Sequence, residues 1–317
     1  MVVRQIAICI VAAALVGCAG SRATTGLPNA IPPVTVAGGS ANRNSQGAKR
    51  SALLYVSDPD AGTVFIYSYP ALKPAGMLTG INSPTGMCVD KKTGNVWITE
   101  TSPYAAGAME FSHGGTKAIQ TLQIGSDNFA NACAVNPTNG ELAVANVTFG
   151  GDDPGDVIVF NVHTGKSKAY HEKSLFYVEF LGYDSRGDLF VDGTPPYYGT
   201  MFRFAELPSG ARRLVNIRWH GPPISLPGNV QDDGTSITVG SVQDALLYRT
   251  IGGKITGTTT FEGACYTDQY FIDGDKVIVP SSCSGVASVS VYSYPAGGKP
   301  ITTLTGFRSA FGAVISR

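Results

Sequence analysis

A short β-rich run that closes on a small or polar residue recurs six times along this chain: Leu54 to Asp58 (LYVSD), Val96 to Glu100 (VWITE), Leu142 to Asn146 (LAVAN), Leu189 to Gly193 (LFVDG), Ile237 to Ser241 (ITVGS) and Val277 to Ser281 (VIVPS). The starts are separated by 42, 46, 47, 48 and 40 residues, the length of one four-stranded β-propeller blade. A unit of this size cannot bury its own apolar face, so it must stack against copies of itself. A polar turn precedes each later run, as in Lys91 to Asn95, and another apolar strand precedes the turn, as in GMCVD (86–90). An outer strand pair follows, clearest where IYSYPALKPAGMLTGI (66–81) is echoed by VYSYPAGGKPITTLTGF (291–307). Each repeat therefore supplies four strands, a to d from the channel outward.

The first repeat begins at strand b, Leu53 to Asp58, with no strand a before it, while the closing segment Phe307 to Arg317 (FRSAFGAVISR) aligns with the strand a in INSPTGMCVD (81–90). The expected fold is all-β: a six-bladed β-propeller of four-stranded antiparallel blades over residues 51–317, with the C-terminal strand completing the first blade and removing open sheet edges. SPTGMCVDKKTGNVWITE (83–100) and its weaker repeats resemble the NHL, gluconolactonase-like and streptogramin-lyase-like group of six-bladed propellers. Such repeats specify fold far better than function.

Residues 1–18 read as a secretory signal: Arg4, an apolar run from Ile6 to Val16 too short to span a bilayer, then small residues. Its end, Leu15-Val16-Gly17-Cys18, resembles the lipobox of bacterial lipoproteins, which implies lipidation at Cys18 and anchoring in the cell envelope, on the periplasmic or surface side of a membrane. Residues 19–50 are rich in Gly, Ala, Ser, Asn, Thr and Pro and read as a flexible tether with a span of roughly 30 Å. Setting aside Cys9 and Cys18, an even set of cysteines remains: Cys265 and Cys283 flank one turn and suit a cross-strand disulfide, and Cys88 and Cys133 suit a bridge between neighbouring blades. Free buried thiols are the alternative. With 23 basic and 23 acidic residues, nothing electrostatic favours nucleic acid.

Strands a and b are antiparallel, so the d-to-a and b-to-c loops share one rim of the channel, where a site is expected. Counting back five residues from the end of each strand a places Thr85, Asn131, Glu179, Leu226, Asp268 and Gly312 in one ring. The resemblance to gluconolactonase-like enzymes implies that oxygen ligands at this mouth hold a divalent ion, Ca2+ or Mg2+, and transfers that role to Asn131, Glu179 and Asp268. Thr85 stands in a similar local motif, Pro84-Thr85-Gly86. A second ring, Asp58, Glu100, Asn146, Asp192 and Ser281, closes strand b, where an acid either braces the following turn or adds charge to the mouth. Rim aromatics include Tyr104, Phe129, Phe176, Tyr177, Tyr197, Tyr198, Tyr266 and Phe311, and Asp152, Asp153 and Asp156 add acids nearby.

The histidine-bearing metal site of streptogramin lyases is not assembled, because His113 and His163 fall in c-to-d turns on the opposite face. That face carries a base in every c-to-d turn: Lys73, Lys117, Lys166, Arg212, Lys254 and Lys299, a pattern suited to solubility or to anionic polymer and lipid. Two function classes follow. One is a binding or scaffold module that grips a protein, peptide or glycan at the rim. The other is a metal-dependent hydrolase of a lactone or ester in which a carboxylate such as Glu100 activates water.

Overall fold

The repeated apolar runs become strands that are dry on both faces, because each blade is covered by a neighbour on either side. Residues 51–101, 106–125, 128–148, 154–196 and 201–317 are described by the computed structural model. The signal segment, Cys18, the tether, Tyr104, Asp152, Asp153, Tyr197 and Tyr198 lie outside the described residues.

Blade 1 contains β1 (Leu53–Asp58), β2 (Thr63–Ser68) and β3 (Pro74–Thr79). Blade 2 contains β4 (Pro84–Val89), β5 (Val96–Glu100), β6 (Ala106–Phe111) and β7 (Ala118–Gly125). Blade 3 contains β8 (Phe129–Val135), β9 (Leu142–Val147), β10 (Asp156–Phe160) and β11 (Ser167–Tyr170). Blade 4 contains β12 (Tyr177–Tyr183), β13 (Leu189–Thr194), β14 (Arg203–Leu207) and β15 (Val215–Ile217). Blade 5 contains β16 (Pro227–Asp232), β17 (Ile237–Ser241), β18 (Leu246–Ile251) and β19 (Lys254–Thr260). Blade 6 contains β20 (Phe271–Asp273), β21 (Lys276–Cys283), β22 (Val286–Ser293) and β23 (Gly297–Phe307), after which β24 (Ala313–Ser316) returns to blade 1. All six sheets are four-stranded, the first ordered β24-β1-β2-β3. The closing register runs antiparallel from Leu53↔Ser316 to Val56↔Ala313, so the terminal segment does complete the first blade.

Burial follows the stacking. Strands β5, β9 and β17 are buried along their whole length, whereas the outermost β3 and β7 bury little. The core is therefore a set of layers between blades. Trp97 packs with Leu142 and Phe160 between blades 2 and 3, and Phe202, Phe204 and Trp219 form an aromatic group reaching Tyr248 between blades 4 and 5. Both expected disulfides are present: Cys88–Cys133 joins β4 to β8, and Cys265–Cys283 clasps the rim loop ahead of β20 to the end of β21.

The inner strands carry recurring bulges, between Pro84 and Met87, Ala130 and Ala132, Val178 and Leu181, and Gly228 and Val230. A bulge re-aims the side chain it inserts, and here it decides which residue each blade presents to the channel.

Candidate functional site

Polar side chains on the inner strands knit each blade to the next. The Ser57 hydroxyl donates to Thr85 O at 2.6 Å, the Thr85 hydroxyl donates to Ala130 O at 2.8 Å, and Asn131 Nδ2 donates to Glu179 O at 2.7 Å. Asn229 Nδ2 donates to Tyr270 O at 2.7 Å, while Gln231 both donates to Ile272 O (3.0 Å) and accepts from Ile272 N (2.9 Å). Gln269 reaches further, past blade 1 to blade 2: its Oε1 accepts from Met87 N at 2.7 Å and its Nε2 donates to Met87 O at 2.6 Å. It passes over Gly312, where a Cβ would stand 2.4 Å from Gln269 Oε1. Phe180 of blade 4 and Phe311, just ahead of β24, come from opposite blades and stack with ring centroids 6.2 Å apart. Phe180, Phe311 and Gln269 therefore plug the channel at mid-height and divide it into two ends.

The rim end holds Asn131, Glu179 and Asp268, each half-buried. Glu179 is the residue inserted by the β12 bulge, and burial pushes its carboxyl up to about 7, with the charge of Asp268 adding to the effect. Burial likewise lifts Asp268 to about 6, against the opposing pull of its own backbone N–H. Protein surrounds both groups while a path to water stays open, the setting of carboxyls lining a narrow mouth. Two neighbouring carboxyls that resist ionising together can share a proton or attract a cation.

Thr85 does not join them. It is buried, with its hydroxyl within hydrogen-bond reach of Thr99 Oγ1 at 3.0 Å and Thr101 Oγ1 at 3.3 Å besides its bond to Ala130 O, so it works between blades rather than in the mouth. Leu226 is also displaced from the counted ring. The blade 5 bulge falls one pair deeper than that of blade 3, which puts Gly228 rather than Leu226 opposite the inner half of strand b.

The second ring braces the rim. The Asp58 carboxylate accepts from Ala61 N (3.1 Å), Arg308 N (2.8 Å) and Ser309 N (3.0 Å). Glu100 accepts from Asn82 N at 3.2 Å, Asn146 from Phe129 N at 3.1 Å and Ser281 from Cys265 N at 3.0 Å. Apart from Ala61, which follows β1, each donor lies where the chain enters that blade's own inner strand. Asp192 is a correction to this ring. Val178 pairs with Gly193 as Ala130 pairs with Asn146, so Asp192 sits one residue inward. There one oxygen accepts from Phe180 N at 2.9 Å and the other is buried without a hydrogen-bond partner among the described residues. Burial holds its carboxyl well above the usual range, opposed by the Phe180 N–H and reinforced by Glu179.

Among the described residues no group of three or more His, Cys, Asp and Glu is arranged to hold a metal ion. The oxygen set at the mouth is, among the described residues, two carboxyls and the Asn131 amide, so a divalent ion there would take the rest of its oxygens from water.

Over blades 5 and 6 the rim exposes Leu226 (43%), Tyr266 (53%) and Val286 (63%). Their loops are tied together, since Val242 N donates to Leu226 O, Thr267 N to Val242 O and Ser282 N to Tyr266 O. The Cys265–Cys283 clasp fixes the same loops. Tyr177 lies half-buried elsewhere on the rim, its ring edge-on to Phe176 with centroids 4.9 Å apart.

The turn face differs from expectation in two ways. Its bases share the face with acids of the a-to-b turns, including Asp90, Asp184, Asp188, Asp232 and Asp273, several already paired: Arg186 with Asp184 and Asp188, and Arg317 with Asp273. It is also where a solvent-open cavity of the channel lies, about 130 Å³, running from Met87 and Gln269 down to Asp90 and Asp232. Sequence reasoning did not find the plug or this cavity. The only signal was a scatter of Gln, Asn and Phe within strands that otherwise read as β-branched and small.

No family model matches the chain, and no curated protein does. Solved structures do. A chain in a crystal structure of a nidogen/laminin complex is similar with a TM-score of 0.66 at 12% identity, covering 84% of this chain and 98% of the other. A protein of unknown function from Bacteroides caccae is similar with a TM-score of 0.63 at 12% identity, covering 84% and 99%. At this identity the likeness establishes the six-bladed propeller fold and nothing finer.

Proposed function

We propose that the protein is an exported binding module that holds a protein or peptide partner on the rim over blades 5 and 6. The observation that carries this reading is the run of exposed Leu226, Tyr266 and Val286 on loops held rigid by backbone bonds and a disulfide. Exposed apolar and aromatic chains on a fixed scaffold are the usual core of a recognition surface. Two disulfides suit an oxidising, extracytoplasmic setting, and no helix among the described residues is long and apolar enough to cross a membrane. The propeller similar to this one in a nidogen/laminin complex shows the fold in a protein assembly, which supports the same use here. Ser51, where the described chain begins, sits on the turn face, its carbonyl 3.1 Å from His113 Nε2. A lipid tether through Cys18 and residues 19–50 would thus leave the rim unobstructed.

The test places a photoreactive residue at Tyr266 or Val286, and at Ile251 on the turn face, in the full chain within its own cell envelope. Discrete adducts from 266 and 286 with none from 251 are expected; adducts from 251 alone would overturn the reading. The Glu179–Asp268 pair favours a second reading, a divalent-ion site serving a hydrolase, with Asn131 as third ligand. Native mass spectrometry decides it: no retained ion, and no change in thermal midpoint on chelation, removes that reading.

A further inference from the structure

The lower half of the channel is a closed-ended, apolar funnel. Its walls are Val89, Ala134, Val135, Leu181, Val230 and Val314, contributed by five of the inner strands. Of the polar groups that line it, Asn229 is bonded to Tyr270 and Lys92 to Thr138, while Lys91 lies where the cavity meets the vestibule below it. Gln269, at the ceiling, has its amide oxygen and nitrogen bonded to Met87, and Gln231 is bonded at both ends to Ile272. A water held here needs two to four polar partners, and these groups have little left to offer. At the mouth the carboxylates are engaged as well: Asp90 accepts from Lys92 N and Thr93 Oγ1, and Asp232 accepts from Ser185 N and Gly234 N. A wider vestibule of about 530 Å³ shares Val89, Asp90, Lys91, Gln231, Asp232 and Phe271 with the cavity and leads into it from the turn face.

We propose that this funnel is a binding site for a compact apolar group, one aromatic ring or a branched aliphatic group of similar size, entering from the face opposite the rim. The volume of about 130 Å³ is close to that of an engineered apolar protein cavity of about 150 Å³ that stays dry and accepts benzene. The walls are pre-formed, because the inner strands are cross-bonded and Cys88–Cys133 fixes two of them, so little ordering opposes entry of a guest. The plug of Phe180, Phe311 and Gln269 separates this site from the rim. The two ends of the channel therefore recognise different chemistry: an apolar guest below, and a carboxyl-lined mouth above.

Fluorobenzene observed by 19F NMR in the presence of the full chain is the probe. Saturable line broadening is expected, together with a rise in thermal midpoint on adding toluene. Ala134→Leu, which grows into the cavity, should weaken fluorobenzene binding at least tenfold while circular dichroism is unchanged. Absence of saturable binding up to the solubility of the probe overturns the site, as does equal binding by wild type and a folded Ala134→Leu. Should that variant fail to fold, crystals of the unaltered protein pressurised with xenon give the answer. A xenon atom between Leu181 and Val314 supports the proposal; xenon bound only elsewhere overturns it.

Discussion

Gly312 offers the sharpest quantitative check on how the channel is closed. Its φ is not in the left-handed region, so alanine there meets no backbone strain. What alanine meets is Gln269, whose Oε1 would lie 2.4 Å from the new Cβ, while Ser57 Oγ and Thr85 O would each lie at a tight 3.2 Å. The Gln269 amide must swing away and give up both bonds to Met87, leaving a buried N–H and C=O without partners. At about 1–3 kcal/mol for each of the two unsatisfied buried groups, Gly312→Ala is expected to cost about 2–6 kcal/mol. Urea unfolding followed by tryptophan fluorescence measures this, since Trp97 is buried against the neighbouring blade. A double-mutant cycle isolates the cause: in a Gln269→Ala background, where the Met87 bonds are already lost, Gly312→Ala should cost at least about 1.5 kcal/mol less than in the wild type. Additivity of the two substitutions within about 0.5 kcal/mol would refute the argument, because the glycine's cost would then arise somewhere other than the amide that passes over it.

Replacing Cys88 and Cys133 together with alanine should lower stability by up to about 4 kcal/mol by the loop-entropy relation for a separation of 45 residues, against about 3 for Cys265 and Cys283 at a separation of 18; calorimetry of the two variants ranks them. Asp58→Ala strips three backbone N–H groups of their acceptor and should cost about 3 kcal/mol, read from denaturant midpoints, whereas Asp58→Asn, which keeps one oxygen acceptor, should lose less. Glu179 and Asp268 hold protons more tightly folded than unfolded, so their contribution to stability is full below pH 4 and falls as pH rises through about 6 to 7, and Asp192, held well above the usual carboxylate range by burial, adds a loss of the same sign. Asp192→Asn should therefore flatten the pH–stability profile and raise the midpoint at pH 8; an unchanged profile counts against a buried neutral carboxyl. Asp268→Asn should bring the Glu179 titration below about 7 in a carboxyl-resolved NMR experiment, since a repelling charge is removed.

The propeller was legible because its signal is local and repeated. A strand b dry on both faces reads as a continuous apolar run, and six such runs at blade spacing leave few alternatives. Ring closure was legible for the same reason, as FRSAFGAVISR imitates a strand a that the first repeat lacks. The channel was less so. Assigning inner-ring residues by counting assumes one register, but the bulge inserts Asn131 between two pairs in blade 3 and Asn229 one pair later in blade 5. That step leaves Leu226 outside the channel, whereas Asp192 misses the bracing ring because Gly193, not Asp192, closes its five-residue run. Bulge position depends on how each inner strand packs against the next blade, a non-local matter that no short window of sequence encodes.

Where the channel is blocked depends on three residues far apart in the chain. Phe180 and Phe311 meet only because blades 4 and 1 face each other, and Gln269 reaches Met87 only because position 312 has no side chain. The consequence is functional. With an open channel, a carboxyl pair at the rim and an apolar cavity below would belong to one site, and a charged group could enter from either face. With the plug in place, Glu179 and Asp268 stay apart from the apolar walls around Leu181 and Val314, and Glu179 owes its raised pKa to burial at the mouth and to Asp268. Opening the plug by Phe311→Ala should therefore let water reach the carboxyls from below and lower the Glu179 pKa, while weakening fluorobenzene binding in the lower cavity. A variant that changed the one without the other would show that the two ends were never separated by these rings.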